Sequence, residues 1–247
     1  MKPAVLMMFR DEADILGKCL EHWYALGVRH FYLCDNGSVD DSVEIAEDFR
    51  NEKNSDWHLS CLVNITRDTA TDWPGRRVIN DLKNRALADG CDWIFPADAD
   101  EFLVLPEGED LSGWLRGLER RAKPDWKGWI EISYLNVLPD GAEAWQEPQR
   151  KCFGKLTPEM TISMGNHIIE GVAESATLVK SKTLAHYRHY SLRSYPQFKR
   201  KMENYMVAFS QNGFPDHHHA ESFKIWQVEG ESYLQRLWTE LTGLPCE

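Results

Sequence analysis

The chain opens on an unbroken apolar run, Ala4 to Phe9, that stops abruptly at Arg10-Asp11-Glu12. A continuous run this short predicts a strand covered on both faces, with its end opening into a polar loop. Apolar positions then recur at helical spacing at Ile15, Leu16, Cys19, Leu20, Trp23 and Tyr24, and Gly27 stands where a C-terminal cap belongs. The unit repeats. Val28 to Cys34 predicts a second strand and Asp35-Asn36-Gly37-Ser38 a turn. Ser38 to Asp41 then offers a capping-box-like start to a helix reaching Phe49. A third strand, Trp57 to Ile65, leads through a loop rich in Asp, Thr, Pro and Gly to a helix with Val78, Ile79, Leu82, Ala86 and Leu87 on one face, closed by Gly90. Asp92 to Pro96 predicts a fourth strand, followed by Ala97-Asp98-Ala99-Asp100-Glu101 and a second apolar run, Phe102 to Leu105.

Strands alternating with helices in this way predict an α/β fold with a mainly parallel central sheet flanked by helices. Ligands of such sheets bind beyond the carboxyl ends of the strands, where the polar clusters at 10–12, 35–38 and 98–101 all fall. After residue 106 the pattern is less regular. It predicts a helix near Leu111 to Arg121, a strand near Gly128 to Val137 and a Pro- and Trp-containing loop to about Pro148. A last helix is capped by Ser194, carries Phe198, Met202, Tyr205, Met206 and Phe209 on one face, stops at Gly213, and has little structure after it.

Composition narrows the picture. With 247 residues and 43% hydrophobic content, one large domain spanning 1–247 is expected. A formal charge of -11 argues against a nucleic-acid partner, so any bound anion must meet a local basic cluster. The chain has no apolar run of membrane-spanning length and no signal-peptide anatomy at its start, which predicts a cytoplasmic location. The six cysteines are scattered, without a CxxC pair, and read as free thiols.

The densest chemistry is Asp98, Asp100 and Glu101, three carboxylates directly after an apolar strand. Like charges this close repel unless a cation or solvent relieves them. Hard oxygen donors suit Mg²⁺ or Mn²⁺ bound through one or two carboxylates plus a substrate phosphate, although a turn must bend Asp98 and Asp100 towards one ion. An ordinary acidic loop is the plain alternative. A phosphatase of the haloacid-dehalogenase type also uses Asp-x-Asp, but after its first strand and with Thr or Val where this chain has Phe102. Neither Gly-x-Gly-x-x-Gly nor Gly-Lys-Ser/Thr is present to cradle a dinucleotide or an NTP. Asp216-His217-His218-His219 reads as an exposed loop. Of the ten tryptophans most are expected to be core, with Trp73, Trp126, Trp129 and Trp145 as loop candidates for stacking on a sugar ring.

Five segments in register, Arg10-Asp-Glu12, Asp35-Asn-Gly-Ser38, Asp98 to Leu103, Gly165-Asn-His167 and His189 to Ser194, give the chain a resemblance to family-2-type glycosyltransferases of the GT-A fold, in a bacterial branch. The resemblance implies a metal-dependent hexosyltransferase that moves a sugar from a UDP- or GDP-sugar to a glycan or other hydroxyl acceptor, with inversion. It also implies a nucleotide-sugar-binding half, 1–105, and an acceptor-side half, 106–247, whose C-terminal segment contacts metal and phosphate. Glu12 and Asp35 occupy positions that receive the base and ribose. Lys83 lies on the helix beside the donor, together with Arg76, Arg77 and Asn80, for which a solvated basic face is the simpler reading.

Asp98 and Asp100 would hold Mn²⁺ or Mg²⁺, Asp98 also touching the donor, with His189 completing the metal site and His186 in reserve. Arg193 and Lys201 would meet the leaving diphosphate. His167 or Glu170 would take the acceptor's proton, and the resemblance favours the carboxylate. The Gln146-to-Arg150 segment lacks the Trp of the processive members' Gln-x-x-Arg-Trp, so single addition is expected, in the cytoplasm or at the inner membrane face. The contrasting expectation, from another class, is a nucleotide-sugar- or glycan-binding module that keeps the fold without the chemistry.

Overall fold

Alternate residues of the first strand enter two different cores, which is why the opening run is apolar throughout. The computed structural model describes residues 1–55, 61–70, 74–121, 128–146, 150–172, 175–178, 184–212 and 220–246. In β1 (Pro3–Phe9), Val5, Met7 and Phe9 face the core under α1 (Leu16–Ala25), α2 (Ser42–Ser55) and α4 (Leu111–Arg121), whereas Ala4 and Leu6 face the core under α3 (Gly75–Ala88). β1 pairs in parallel with β2 (His30–Asp35) on one side and β4 (Trp93–Pro96) on the other, and β3 (Leu62–Arg67) extends the sheet beyond β2. The main sheet is completed by β6 (Trp129–Ile132), β9 (Lys151–Lys155) and β12 (Ser175–Leu178), in the order β12-β6-β9-β4-β1-β2-β3. Only β9 runs against the rest. The mainly parallel sheet between helices is as the alternating pattern predicts.

A smaller sheet is made by β5 (Glu101–Val104), β13 (His186–His189), β7 (Tyr134–Val137) and β8 (Glu143–Trp145), in the order β5-β13-β7-β8. The single strand expected over 128–137 is therefore two strands in two sheets, broken at the buried Ser133. Strand periodicity is identical on both sides of the break, so the pattern carried no sign of the change of sheet. β10 (Thr161–Ile162) and β11 (Ile169–Glu170) form a short hairpin around a 3₁₀ turn, Met164–Asn166.

Ser194 caps α5 (Tyr195–Asn212), accepting the Gln197 N–H at 3.3 Å. Structure does not end there, contrary to expectation. α6 (Ala220–Glu229) and α7 (Glu231–Thr242) close a third apolar cluster with α5, built on Tyr195, Phe198, Met202, Phe223, Leu234 and Trp238. The apolar residues of α6 are spread around the helix, and this hid it from a periodicity reading. The predicted stop at Gly213, the histidine run at 217–219, Trp73, Trp126 and the start of the predicted third strand at Trp57 lie outside the described residues. Trp129 is core, Trp145 lies edge-on to His186, and all six cysteines are free. No helix among the described residues is long and apolar enough to cross a membrane.

Candidate active site at the carboxyl edge of the sheet

The loop after β1, the loop after β2 and α5 meet at Asp11. Its backbone is left-handed (φ 55), a conformation that Asp tolerates better than most residues. The Asp11 N–H donates to Ser38 Oγ at 3.1 Å, while its carboxylate accepts the Val39 N–H at 2.7 Å and Asn204 Nδ2 at 2.8 Å. The neighbouring Glu12 N–H donates to Ser42 Oγ at 2.8 Å. Asp35, at the end of β2 and 1% exposed, accepts the Ser38 N–H at 2.8 Å and pairs with Arg67 at 3.1 Å. The two strand-tip acids are thereby held on one edge, with Asp35 engaged in its own turn.

Asp100 is the hub. It is 2% exposed, and its Oδ2 lies 3.0 Å from Lys201 Nζ and 3.5 Å from Arg193 Nη1. These cations hold its carboxyl far below the usual range against the cost of burial. Arg193 also forks onto Asp14, pairs closely with Glu12 and donates to the Tyr190 carbonyl at 2.9 Å. On the other side, His189 Nε2 stands 3.6 Å from Asp100 Oδ1. His189 Nδ1 is 2.8 Å from Asn136 Oδ1, and Asn136 Nδ2 in turn donates to Gln146 Oε1 at 2.8 Å. The Asn136 oxygen can only accept, so Nδ1 carries the proton. Burial lowers the His189 pKa to about 4, which leaves the ring neutral with a bare lone pair on Nε2.

Asp98 is held separately. Its side chain is 44% exposed, with Oδ2 2.7 Å from Lys151 Nζ and Oδ1 accepting from Asn166 Nδ2 at 3.2 Å. Lys151, buried in β9, also meets Glu101 at 2.7 Å and the Gly165 carbonyl at 3.0 Å. Glu101 is fully buried and accepts the Asp98 N–H at 3.0 Å, so the third acid of the cluster braces the turn from below. One ammonium shared by two carboxylates stays charged, whereas burial and the nearby Asp98 and Asp100 raise Glu101 to about 8. Burial, with the nearby Asp100, raises Glu12 to about 7 against the pull of Lys201 and Arg193.

These contacts allow a direct test of fit to a divalent ion. With Nδ1 engaged by the Asn136 oxygen and burial keeping the ring neutral, His189 turns Nε2 as an acceptor towards Asp100 Oδ1. Glu12, Asp14, Asp98, Asp100 and Glu101 set five formal negative charges against three cations, Lys151, Arg193 and Lys201. The residues fit a divalent cation at Asp100 and His189. Among the described residues no three His, Cys, Asp or Glu side chains converge on one point, so Asp98 does not join that pair as a third ligand here. Mg²⁺ and Mn²⁺ sites commonly use one or two protein ligands and complete their shell with phosphate and water.

The remaining expected residues lie apart. Lys83 is buried in α3 and donates to the Met160 carbonyl at 2.8 Å, with the Pro158 carbonyl at 3.5 Å. Glu170 is exposed and pairs with Arg76 at 2.8 Å. His167 Nδ1 sits against the Arg150 carbonyl, and burial lowers its pKa. Gly165 (φ 75) lets that imidazole approach, since a Cβ there would lie 2.8 Å from the ring. His186 is buried with Nδ1 3.0 Å from the Leu184 carbonyl. Sequence reasoning missed Lys151, Asn136 and Asn204. A charged residue heading a buried strand was the available signal for Lys151, and nothing in the pattern marked the two asparagines.

No protein-family model matches the chain, and no curated protein matches it. Solved structures do. A mannosyltransferase from Pyrobaculum calidifontis, in complex with GDP-Man and Mn²⁺, aligns over 97% of this chain and 73% of that one, with a TM-score of 0.51 at 10% identity. The glucosyl-3-phosphoglycerate synthase of Mycobacterium tuberculosis, in complex with Mn²⁺, UDP and glucosyl-3-phosphoglycerate, aligns over 54% of this chain with a TM-score of 0.35 at 17% identity. The aligned part spans 44% of that protein's length. The fold is thus GT-A-like: a central, mainly parallel sheet between helices, shared with the mannosyltransferase.

Proposed function

We propose that this protein is a glycosyltransferase that moves a sugar from a nucleoside-diphosphate sugar to a hydroxyl acceptor, using a divalent cation at Asp100 and His189. The observation that carries the reading is the 3.6 Å approach of His189 Nε2 to Asp100 Oδ1, set beside Lys201 and Arg193 at the carboxyl edge of the sheet. A bound Mn²⁺ or Mg²⁺ would neutralise the donor diphosphate. Lys201 and Arg193, presently shared among Asp100, Glu12 and Asp14, would turn part of their hydrogen bonding to the departing phosphates. Such preplaced charge stabilises the leaving group in the transition state.

Glu12 and Asp35, at neighbouring strand tips, would take the base and ribose, and half-exposed Asp98 would touch the donor. The loop carrying His167 and Glu170 is tied to Asp98 through Asn166. We assign it the acceptor side, with Glu170 as the base once it leaves Arg76, giving single, inverting addition of a hexose.

Purified protein should release nucleoside diphosphate from at least one member of a UDP- and GDP-sugar panel with Mn²⁺ present, and Asp100→Ala should abolish the release. Nucleotide binding without turnover of any donor, across a panel of acceptors, would assign a binding module instead.

A further inference from the structure

We infer that Asn136 is the positioning residue of the cation site: held by Gln146, its amide oxygen fixes the tautomer of His189 and so keeps the Nε2 lone pair exposed to the ion. The inference rests on the proposed reading only in taking that ion as functional. The tautomer itself belongs to the ion-free protein.

Asn136 of β7 and His189 of β13 are parallel neighbours in the small sheet, and on its other side His189 pairs with Glu101, one residue after Asp100. The sheet therefore presents the imidazole between Asn136 and the acidic turn. Tyr134 lies edge-on to the ring, with centroids 5.2 Å apart at 88°, and restrains its orientation.

An asparagine amide has two ends of opposite character, and in the structure the oxygen is the end that faces the imidazole. Gln146 Oε1 takes an N–H of Asn136 Nδ2 at 2.8 Å, and the Gln146 backbone N–H is anchored on the Tyr134 carbonyl at 3.0 Å. With that N–H engaged by Gln146, the Asn136 oxygen lies 2.8 Å from His189 Nδ1, which then donates. If the amide were reversed, its NH₂ would claim the Nδ1 lone pair and the ring proton would move to Nε2. His189 would then donate to Asp100, and the pair would close as an ordinary hydrogen bond with a proton where the cation belongs. The orientation of one amide decides whether the imidazole and carboxylate receive a cation or satisfy each other. Partners of ligating histidines act in this way in metal sites, and their loss typically weakens metal affinity by about 10- to 100-fold.

The test is ¹⁵N NMR of the ion-free protein at pH 7.5, with the His189 signals identified by their loss in His189→Gln, alongside Mn²⁺ titration followed by EPR. Wild type should show Nδ1 protonated and Nε2 bare. Asn136→Leu should move the proton to Nε2 and weaken Mn²⁺ binding about 10- to 100-fold, whereas Asn136→Asp, which keeps an acceptor, should retain the wild-type tautomer. Gln146→Leu, at a half-buried position just after β8, frees the amide to reverse. It should populate the Nε2–H form and weaken Mn²⁺ severalfold, and it carries the test if Asn136→Leu does not fold. Nε2–H in wild type, an unchanged tautomer in both Leu variants, or a changed tautomer with unchanged Mn²⁺ affinity would each overturn the inference. The predicted tautomer and Mn²⁺ responses in a protein that transfers no sugar would refute the proposed function and uphold this inference.

Discussion

His189 Nε2 and Asp100 Oδ1 stand 3.6 Å apart, with burial holding the imidazole neutral. Removing either should remove the cation. His189→Gln is expected to weaken Mn²⁺ about 100-fold, or roughly 2.7 kcal/mol, as read by EPR titration. An affinity within threefold of wild type would place the ion elsewhere.

The shortage of positive charge at the site predicts proton release on metal binding. In the ion-free protein Glu12 and Glu101 titrate near 7 and 8, raised by burial and by neighbouring carboxylates. A raised acid stabilises the fold fully below its unfolded value of about 4.5, and that contribution is lost as pH rises through the folded value. A cation lowers both pKa values, so it expels the protons still bound near neutrality. Calorimetry of Mn²⁺ binding at pH 7 in two buffers of different ionisation heat should show net release, falling away by pH 9. No buffer dependence would contradict the charge assignment.

Lys151 neutralises Asp98 and Glu101 from inside β9. Lys151→Met leaves buried Glu101 without its counter-ion, at an expected cost of about 3–5 kcal/mol. Urea unfolding checks this, and Lys151→Met combined with Glu101→Leu should regain a large part of the loss. A single variant as stable as wild type would show that the lysine is not the brace described here.

Two lysines expected to face the donor should behave differently. The Lys83 ammonium is occupied by the Met160 carbonyl, so Lys83→Met should cost about 1–3 kcal/mol of stability and leave nucleoside diphosphate affinity within twofold. Lys201→Met should lower that affinity more than tenfold with Mn²⁺ present. Equal losses of affinity would return Lys83 to the donor site.

Much of this arrangement was legible in the chain, for identifiable reasons. The β1 run is apolar at every position because both faces are covered, and the polar residues after it mark the strand's carboxyl end. Gly27 and Gly90 adopt positive φ just beyond α1 and α3, where the pattern places caps. Asp98, Asp100 and Glu101 were visible as a cluster, but not their division of labour. That division depends on Lys151, His189 and Asn136, brought in from 35 or more positions away by pairing within two sheets. Lys83 shows the reverse limit: its position on α3 suggests solvent or phosphate, yet its partners are carbonyls in a loop about 75 residues later.

The most direct measurement is thermal unfolding with UDP or GDP, with and without Mn²⁺, in wild type and Asp100→Asn. With nucleotide at 100 times its Kd the folded state gains about 2.7 kcal/mol, or roughly 5–10 °C for a domain of this size. The account predicts that shift for wild type with Mn²⁺ and one of the nucleotides, with little or none when the ion is withheld or in Asp100→Asn. A shift of equal size without the ion, or one that survives in Asp100→Asn, would contradict it.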